Sequence, residues 1–260
     1  MDNFGIFQQI LHYGTLPGAA GLFCVLVFML GKRRRGELMM LSLSAAVSLN
    51  LLLKELFKAS RPWLMHVETA PYLAEGGYAL PCLHTMIAAA LLGTFALTSN
   101  KKTVRFVCVF GILLTGTVRV LVKLQSVTDV ISGAAAGLLI AFLLSKFAGQ
   151  KKLYSLVSLL ICAVSGLAAA VLFQDGWGPG LCLTVGFLRL LDKPFQKAEP
   201  NRTTFGKIYG TLFAAGIYIG LIILLPFLVE WLITPLWPGQ TLIVLLITLI
   251  PCLLRLIPIF

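Results

Sequence analysis

Residues 38–62 read LMMLSLSAAVSLNLLLKELFKASRP, and this stretch decides how the rest of the chain is read. The run 38–57 is apolar and long enough as a helix to cross a hydrocarbon core of ~30 Å. It closes on Lys54, Lys58 and Arg61, and Pro62 then stops the helix. Lys54 and Arg61 are two helical turns apart, so both project the same way from one helix end.

Working outward, similar apolar runs recur along all 260 residues. With 58% hydrophobic and 12% charged residues, too little polar surface is available to cover a soluble domain. The mean hydropathy of +0.94 agrees. The chain is therefore an all-α polytopic membrane protein, and the runs predict nine spans, at 16–31, 38–57, 82–99, 104–122, 127–147, 153–173, 177–191, 208–229 and 241–259. No cleavable leader pattern is visible, so no signal peptide is expected. Residues 1–15 place Phe4, Phe7, Ile10 and Leu11 at helical spacing and predict a short helix lying in the interface.

The basic residues orient this bundle. Clusters at 32–35, 101–105, 146–152 and 189–207, together with Arg255, fall on one side of a nine-span chain. By the positive-inside rule that side is cytoplasmic, which predicts an outside amino terminus and an inside carboxyl terminus in a plasma (inner) membrane. Of the 21 Lys and Arg, five are left on the outer face: Lys54, Lys58, Arg61, Arg119 and Lys123. The net charge of +11 is mostly this topology signal, and no nucleic-acid partner is implied. Five of the six cysteines are isolated in apolar spans and the spacing of none suggests zinc, so no metal or cofactor is expected.

Three outer segments hold all the misplaced cations or stand beside them. Lys54 to Pro62 closes the second span. Gly77-Tyr-Ala-Leu-Pro81-Cys82-Leu83-His84 opens the third, with Pro81 suited to a helix start and His84 beside the positive end of the helix dipole. Val118-Arg119 through Gln125 to Asp129 joins the fourth and fifth. Two guanidinium groups, one or two ammonium groups and a helix amino terminus converging on one pocket predict a bound anion, since Arg forks match phosphate oxygens and Lys adds a point charge. Taken singly each piece has an ordinary reading: end-of-span cations snorkel, a lone His is hydrogen-bonded at the interface, and Asp129 caps the fifth span.

Jointly the three segments resemble the type 2 phosphatidic acid phosphatase family, whose signatures are K-x6-R-P, P-S-G-H and S-R-x5-H-x3-D in that order. The first is complete as Lys54, Arg61 and Pro62; the second keeps only Pro81 and His84; the third keeps its spacing as Val118-Arg119, Gln125 and Asp129. The motifs cover residues 16–147, and the layout beyond them is similar to bacterial members with a carboxyl-terminal extension. Beyond the interfacial segment at 1–15, the resemblance implies a six-helix phosphatase-like core at 16–173 and an extension of about three membrane helices at 174–260.

It also implies roles. Lys54, Arg61 and Arg119 would hold phosphate, His84 would protonate the leaving alcohol, and Asp129 would orient the nucleophile. The nucleophile of the family is a His, and here Gln125 stands in its place. An amide nitrogen has its lone pair delocalised into the carbonyl and cannot act as a covalent nucleophile, although it can donate a hydrogen bond to phosphate. Cys82 is a weak donor where the family has Ser, Leu83 adds bulk where it has Gly, and Val118 removes a further hydroxyl.

Charges kept without a nucleophile predict a degenerate member that binds a lipid phosphate or pyrophosphate, its partners being the phosphorylated lipid and the bilayer. Two alternatives stand beside it. One is an active phosphatase with altered chemistry, through water with His84 or His66 as base, or through Cys82. The other is a lipid transporter or flippase, suggested by Gly176–Gly180, the pairs Gly206/Gly210 and Gly216/Gly220, and Pro226, Pro235, Pro238 and Pro251. Against transport, small residues at four-residue spacing commonly pack helices, as Gly133/Gly137 is expected to do. The loop 62–81, with Trp63, His66, Glu68, Tyr72, Glu75 and Tyr78, is expected to face the substrate.

Overall fold

The computed structural model describes residues 16–61, 77–147, 152–173, 175–198, 204–232 and 237–256. The segment at 1–15 and the part of the 62–81 loop from 62 to 76 lie outside the described residues. So do 233–236, between the spans expected at 208–229 and 241–259. Among the described residues the elements are ten α-helices and one 3-10 turn, with no strand. We label the helices α1 (Pro17–Leu30), α2 (Arg33–Phe57), α3 (Leu83–Leu97), α4 (Lys102–Leu121), α5 (Val127–Phe147), α6 (Lys152–Phe173), α7 (Trp177–Leu190), α8 (Asp192–Ala198), α9 (Thr204–Leu232) and α10 (Trp237–Leu253).

Every expected apolar span corresponds to a helix, with ends shifted by a few residues. Four, α2, α4, α5 and α9, are long and apolar enough to cross a membrane by length and composition, and four more apolar helices are shorter. The protein is an all-α polytopic membrane protein. The short α8 is the element that hydropathy did not foretell, because a seven-residue helix carrying Asp192 and Lys193 has no apolar run to announce it.

Local chemistry sets the boundaries. Pro17 sits in the first turn of α1, where a missing N–H costs nothing. The Lys58 amide closes α2 by donating to the Lys54 carbonyl at 2.9 Å, with Lys58 in the left-handed region at φ +46.

Helix α2 lies at the centre, in contact with α1, α3, α5, α6 and α7. Two of its buried hydroxyls are satisfied across these contacts: Ser42 pairs with Thr94 at 2.7 Å, and Ser44 donates to the Gly178 carbonyl at 2.8 Å. Helices α9 and α10 pack on α1, and α7 packs on α2 and α10. One buried apolar cluster accordingly runs from Ala20 to Cys252.

The tightest pair is α3 against α5. A Cβ on Gly133 would lie 2.6 Å from the Cys82 carbonyl oxygen, and one on Gly137 would lie 2.4 Å from that of Met86. The Gly133/Gly137 spacing packs helices, as expected. Gly216 and Gly220 do not: a Cβ at either meets nothing within 4 Å.

At the end of the bundle away from the C-terminus of α2, several basic residues read as a topology signal are also structural. Arg33 pairs with Glu37 at 3.0 Å and with Asp192, and Arg189 approaches Glu37 at 3.8 Å. Arg255, 2% exposed, donates to the carbonyl of Phe28, and to that of Gly31 at 3.3 Å. These carbonyls close α1, where the helix dipole is negative. The guanidinium also lies 5.3 Å from the centre of the Phe28 ring.

Candidate phosphate site

Three chain segments meet at the C-terminal end of α2. In the first, Lys54 is in the last turn of the helix, and the left-handed Lys58 turns the chain so that Ala59 accepts a bond from the Ala79 amide at 2.9 Å. That bond pulls the second segment alongside the first. Arg61, 2% exposed, then donates from Nε to the Gly77 carbonyl at 3.0 Å. Gly77 holds φ +76, a conformation that a side chain would strain.

The second segment passes through a cis Leu80–Pro81 bond into α3. Asn50, fully buried one turn before Lys54, donates from Nδ2 to the Pro81 carbonyl at 3.0 Å and to the Met86 sulfur at 3.5 Å. Cys82 is the cap residue of α3 and makes no side-chain cap bond. Its amide donates to the Asp129 carbonyl at 3.0 Å, which joins the second segment to the third. Its sulfur is buried and accepts from the Thr85 hydroxyl at 3.3 Å. His84, also buried, follows in the first turn of α3.

In the third segment Arg119, 3% exposed, lies in the last turn of α4, and its carbonyl accepts from the amides of Leu124 and Gln125 at 3.2 and 3.3 Å. Lys123 makes the turn at φ +57. Ser126 and Asp129 cap α5 reciprocally. The Ser126 amide donates to Asp129 Oδ2 at 2.8 Å, and the Asp129 amide donates to Ser126 Oγ at 3.2 Å. The expected cap role of Asp129 is thus a capping box, with Asp in the place usually held by Glu.

Gln125 binds the segments together. Oriented as its neighbours require, its amide oxygen accepts from an Arg61 terminal nitrogen at 2.9 Å. Its amide nitrogen donates to the Ala79 carbonyl at 3.0 Å and to Asp129 Oδ2 at 3.1 Å. The position expected to hold a nucleophile therefore carries an amide wedged between a buried guanidinium and a buried carboxylate.

Of the residues singled out from sequence, Arg61, Gln125 and Asp129 share one hydrogen-bonded network, and Cys82 joins it through its backbone. Lys54, His84 and Arg119 stand on the helix ends that frame it, Lys54 half-buried and the other two buried. Lys58 and Lys123 are exposed. Lys58 pairs with Glu55 at 2.9 Å, and that carboxylate raises its pKa above the ordinary lysine value. Sequence reasoning missed Asn50; its signal was a lone amide inside an apolar run. Among the described residues no group of three His, Cys, Asp or Glu could hold a metal. An apolar cavity of about 600 Å³ lies elsewhere, between α6, α7 and α10, lined by Leu159, Leu167, Pro179 and Phe187 among others.

This arrangement can bind an anion through cations that are largely withdrawn from water, where each charge acts through a lower dielectric. The model of the PAP2 superfamily matches residues 19–153. Over 154 residues the chain is 30% identical to phosphatidylglycerophosphatase B of Bacillus subtilis (strain 168), an alignment covering 55% of this chain and 73% of that protein. No solved structure matches. The chain belongs to the PAP2 superfamily.

Proposed function

We propose that this PAP2 superfamily member binds the phosphate or pyrophosphate head group of a lipid at the extracytoplasmic face of the plasma (inner) membrane, without phosphohistidine catalysis. Family membership and the phosphatidylglycerophosphatase relative support a function of lipid phosphate phosphatase type. In this reading Lys54, Arg61 and Arg119 are the charged phosphate ligands, and Cys82 and Gln125 line the site. His84 and Asp129 keep the family positions of proton donor and orienting carboxylate. The uneven distribution of basic residues supports the orientation, with the site outside.

One observation carries the proposal. Gln125 occupies the nucleophile position and is engaged with Arg61 and Asp129, while every formal charge around it is retained. Its amide nitrogen has no lone pair to offer phosphorus.

The second reading, a phosphatase with altered chemistry, is favoured by the name of the relative. Phosphate release by the purified protein from a panel of lipid phosphates, beside Gln125→His and Arg119→Ala, separates the two. We expect the native protein to be silent and Gln125→His to release phosphate and to carry phosphohistidine. Release by the native protein that Arg119→Ala abolishes would establish the enzyme instead.

A further inference from the structure

We infer that Gln125 is a latch on the phosphate site, an internal stand-in for a ligand oxygen that must swing off Arg61 before a phosphate can be seated there. The inference rests on the binding reading above and specifies how that site opens.

Arg61 is 2% exposed, and two of its nitrogens are engaged, Nε by the Gly77 carbonyl and a terminal nitrogen by the Gln125 amide oxygen. A phosphate oxygen approaching that terminal nitrogen meets the amide oxygen already in place. A buried guanidinium is costly unless its donors are satisfied, and the amide oxygen satisfies one of them.

The other side of the amide holds the latch shut, through the Ala79 carbonyl at 3.0 Å and Asp129 Oδ2 at 3.1 Å. Opening it leaves Asp129 one bond from the Ser126 amide at 2.8 Å, so the carboxylate is not stranded. The exchange replaces a neutral acceptor by a charged one, and charge-assisted bonds are roughly twice as strong as neutral ones. An anion thus displaces the amide and a neutral head group does not. Gln125 sets a threshold on affinity and selects for charge.

The test uses the purified full chain in mixed micelles, with fluorescent phosphatidate as probe, diacylglycerol as neutral control and inorganic phosphate as a separate arm. Gln125→Ala and Gln125→Ser both shorten the side chain out of reach of Arg61, and each is expected to tighten phosphatidate retention about fivefold, the worth of one net hydrogen bond. Gln125→Glu places a carboxylate on the same guanidinium and is expected to weaken retention at least as much. The gain in Gln125→Ala should vanish when Arg61→Ala is added, a coupling that a packing defect would not produce.

Native protein that binds, with neither shortened variant binding more tightly, overturns the latch and leaves the binding reading standing. Silence from the native protein with binding by the shortened variants supports the latch. Absence of binding by all of them overturns the latch and the binding reading together. Tightening toward inorganic phosphate as well as phosphatidate, or toward phosphatidate alone, supports the latch in either case and tells whether free phosphate suffices to open it.

Discussion

Replacing Gly137 by Ala should separate α3 from α5, and the size of the effect follows from the distances. The added Cβ would lie 2.4 Å from the Met86 carbonyl oxygen and 2.7 Å from the Ala89 Cβ. Ordinary carbon–oxygen contacts begin near ~3.3 Å, so the helices must part by roughly 0.9 Å. The first obstacle is backbone and cannot rotate away. Overpacking of this kind costs about 1–3 kcal/mol, and the backbone clash puts Gly137→Ala at the upper end. The gain in helix propensity from Gly to Ala returns about 1 kcal/mol, leaving a net loss of about 2 kcal/mol. Gly216→Ala is the internal control: its Cβ meets nothing within 4 Å, so only the propensity gain of about 1 kcal/mol remains. The two variants should therefore differ by roughly 3 kcal/mol in opposite directions. Equilibrium unfolding of the detergent-solubilised protein by SDS, followed by circular dichroism, measures this difference. Because α3 carries His84 and α5 carries Asp129, the same displacement should weaken phosphatidate retention in Gly137→Ala and leave Gly216→Ala like the native protein. Equal stability of the two variants would refute the backbone-close packing of α3 on α5.

Two further outcomes test other parts of the molecule. Arg255→Met removes charged donors from the Phe28 and Gly31 carbonyls, and should cost about 2–3 kcal/mol in the same unfolding assay; no loss would mean that the α1 end is satisfied without it. Asn50→Leu keeps the volume but leaves the buried Pro81 carbonyl without its donor at 3.0 Å, for a loss of about 1–3 kcal/mol. Its phosphatidate retention should fall as well, since Asn50 registers the start of α3 against the helix end bearing Lys54, and retention at the native level would remove Asn50 from the site.

Much of the architecture was legible because lipid as solvent forces every spanning backbone into helix, so apolar length alone reports the elements. The three segments were legible for a related reason: Lys54, Arg61 and Arg119 stand where cations are costly. Other features were hidden because sequence records spacing and not partners. Gly133/Gly137 and Gly216/Gly220 have the same spacing, yet one pair meets a neighbouring backbone and the other meets no atoms. Asn50 was missed because its partner, the Pro81 carbonyl, is a backbone atom that carries no sequence signal. Arg255 contributed to a charge count that reads orientation, and its burial against α1 could not be inferred from that count. Gln125 was visible as a substitution at the position expected to hold the nucleophile, but its bond to Arg61 depends on how two loops close on each other.

The bond from Arg255 to the end of α1 also orders events in biogenesis. The Phe28 and Gly31 carbonyls belong to the first described helix to leave the ribosome, and their donor belongs to the last described element. Between those moments the end of α1 must be served by water or lipid head groups, since the chain that completes it does not yet exist. Insertion of α1 and its final packing are therefore separate events, divided by the synthesis of all the intervening helices.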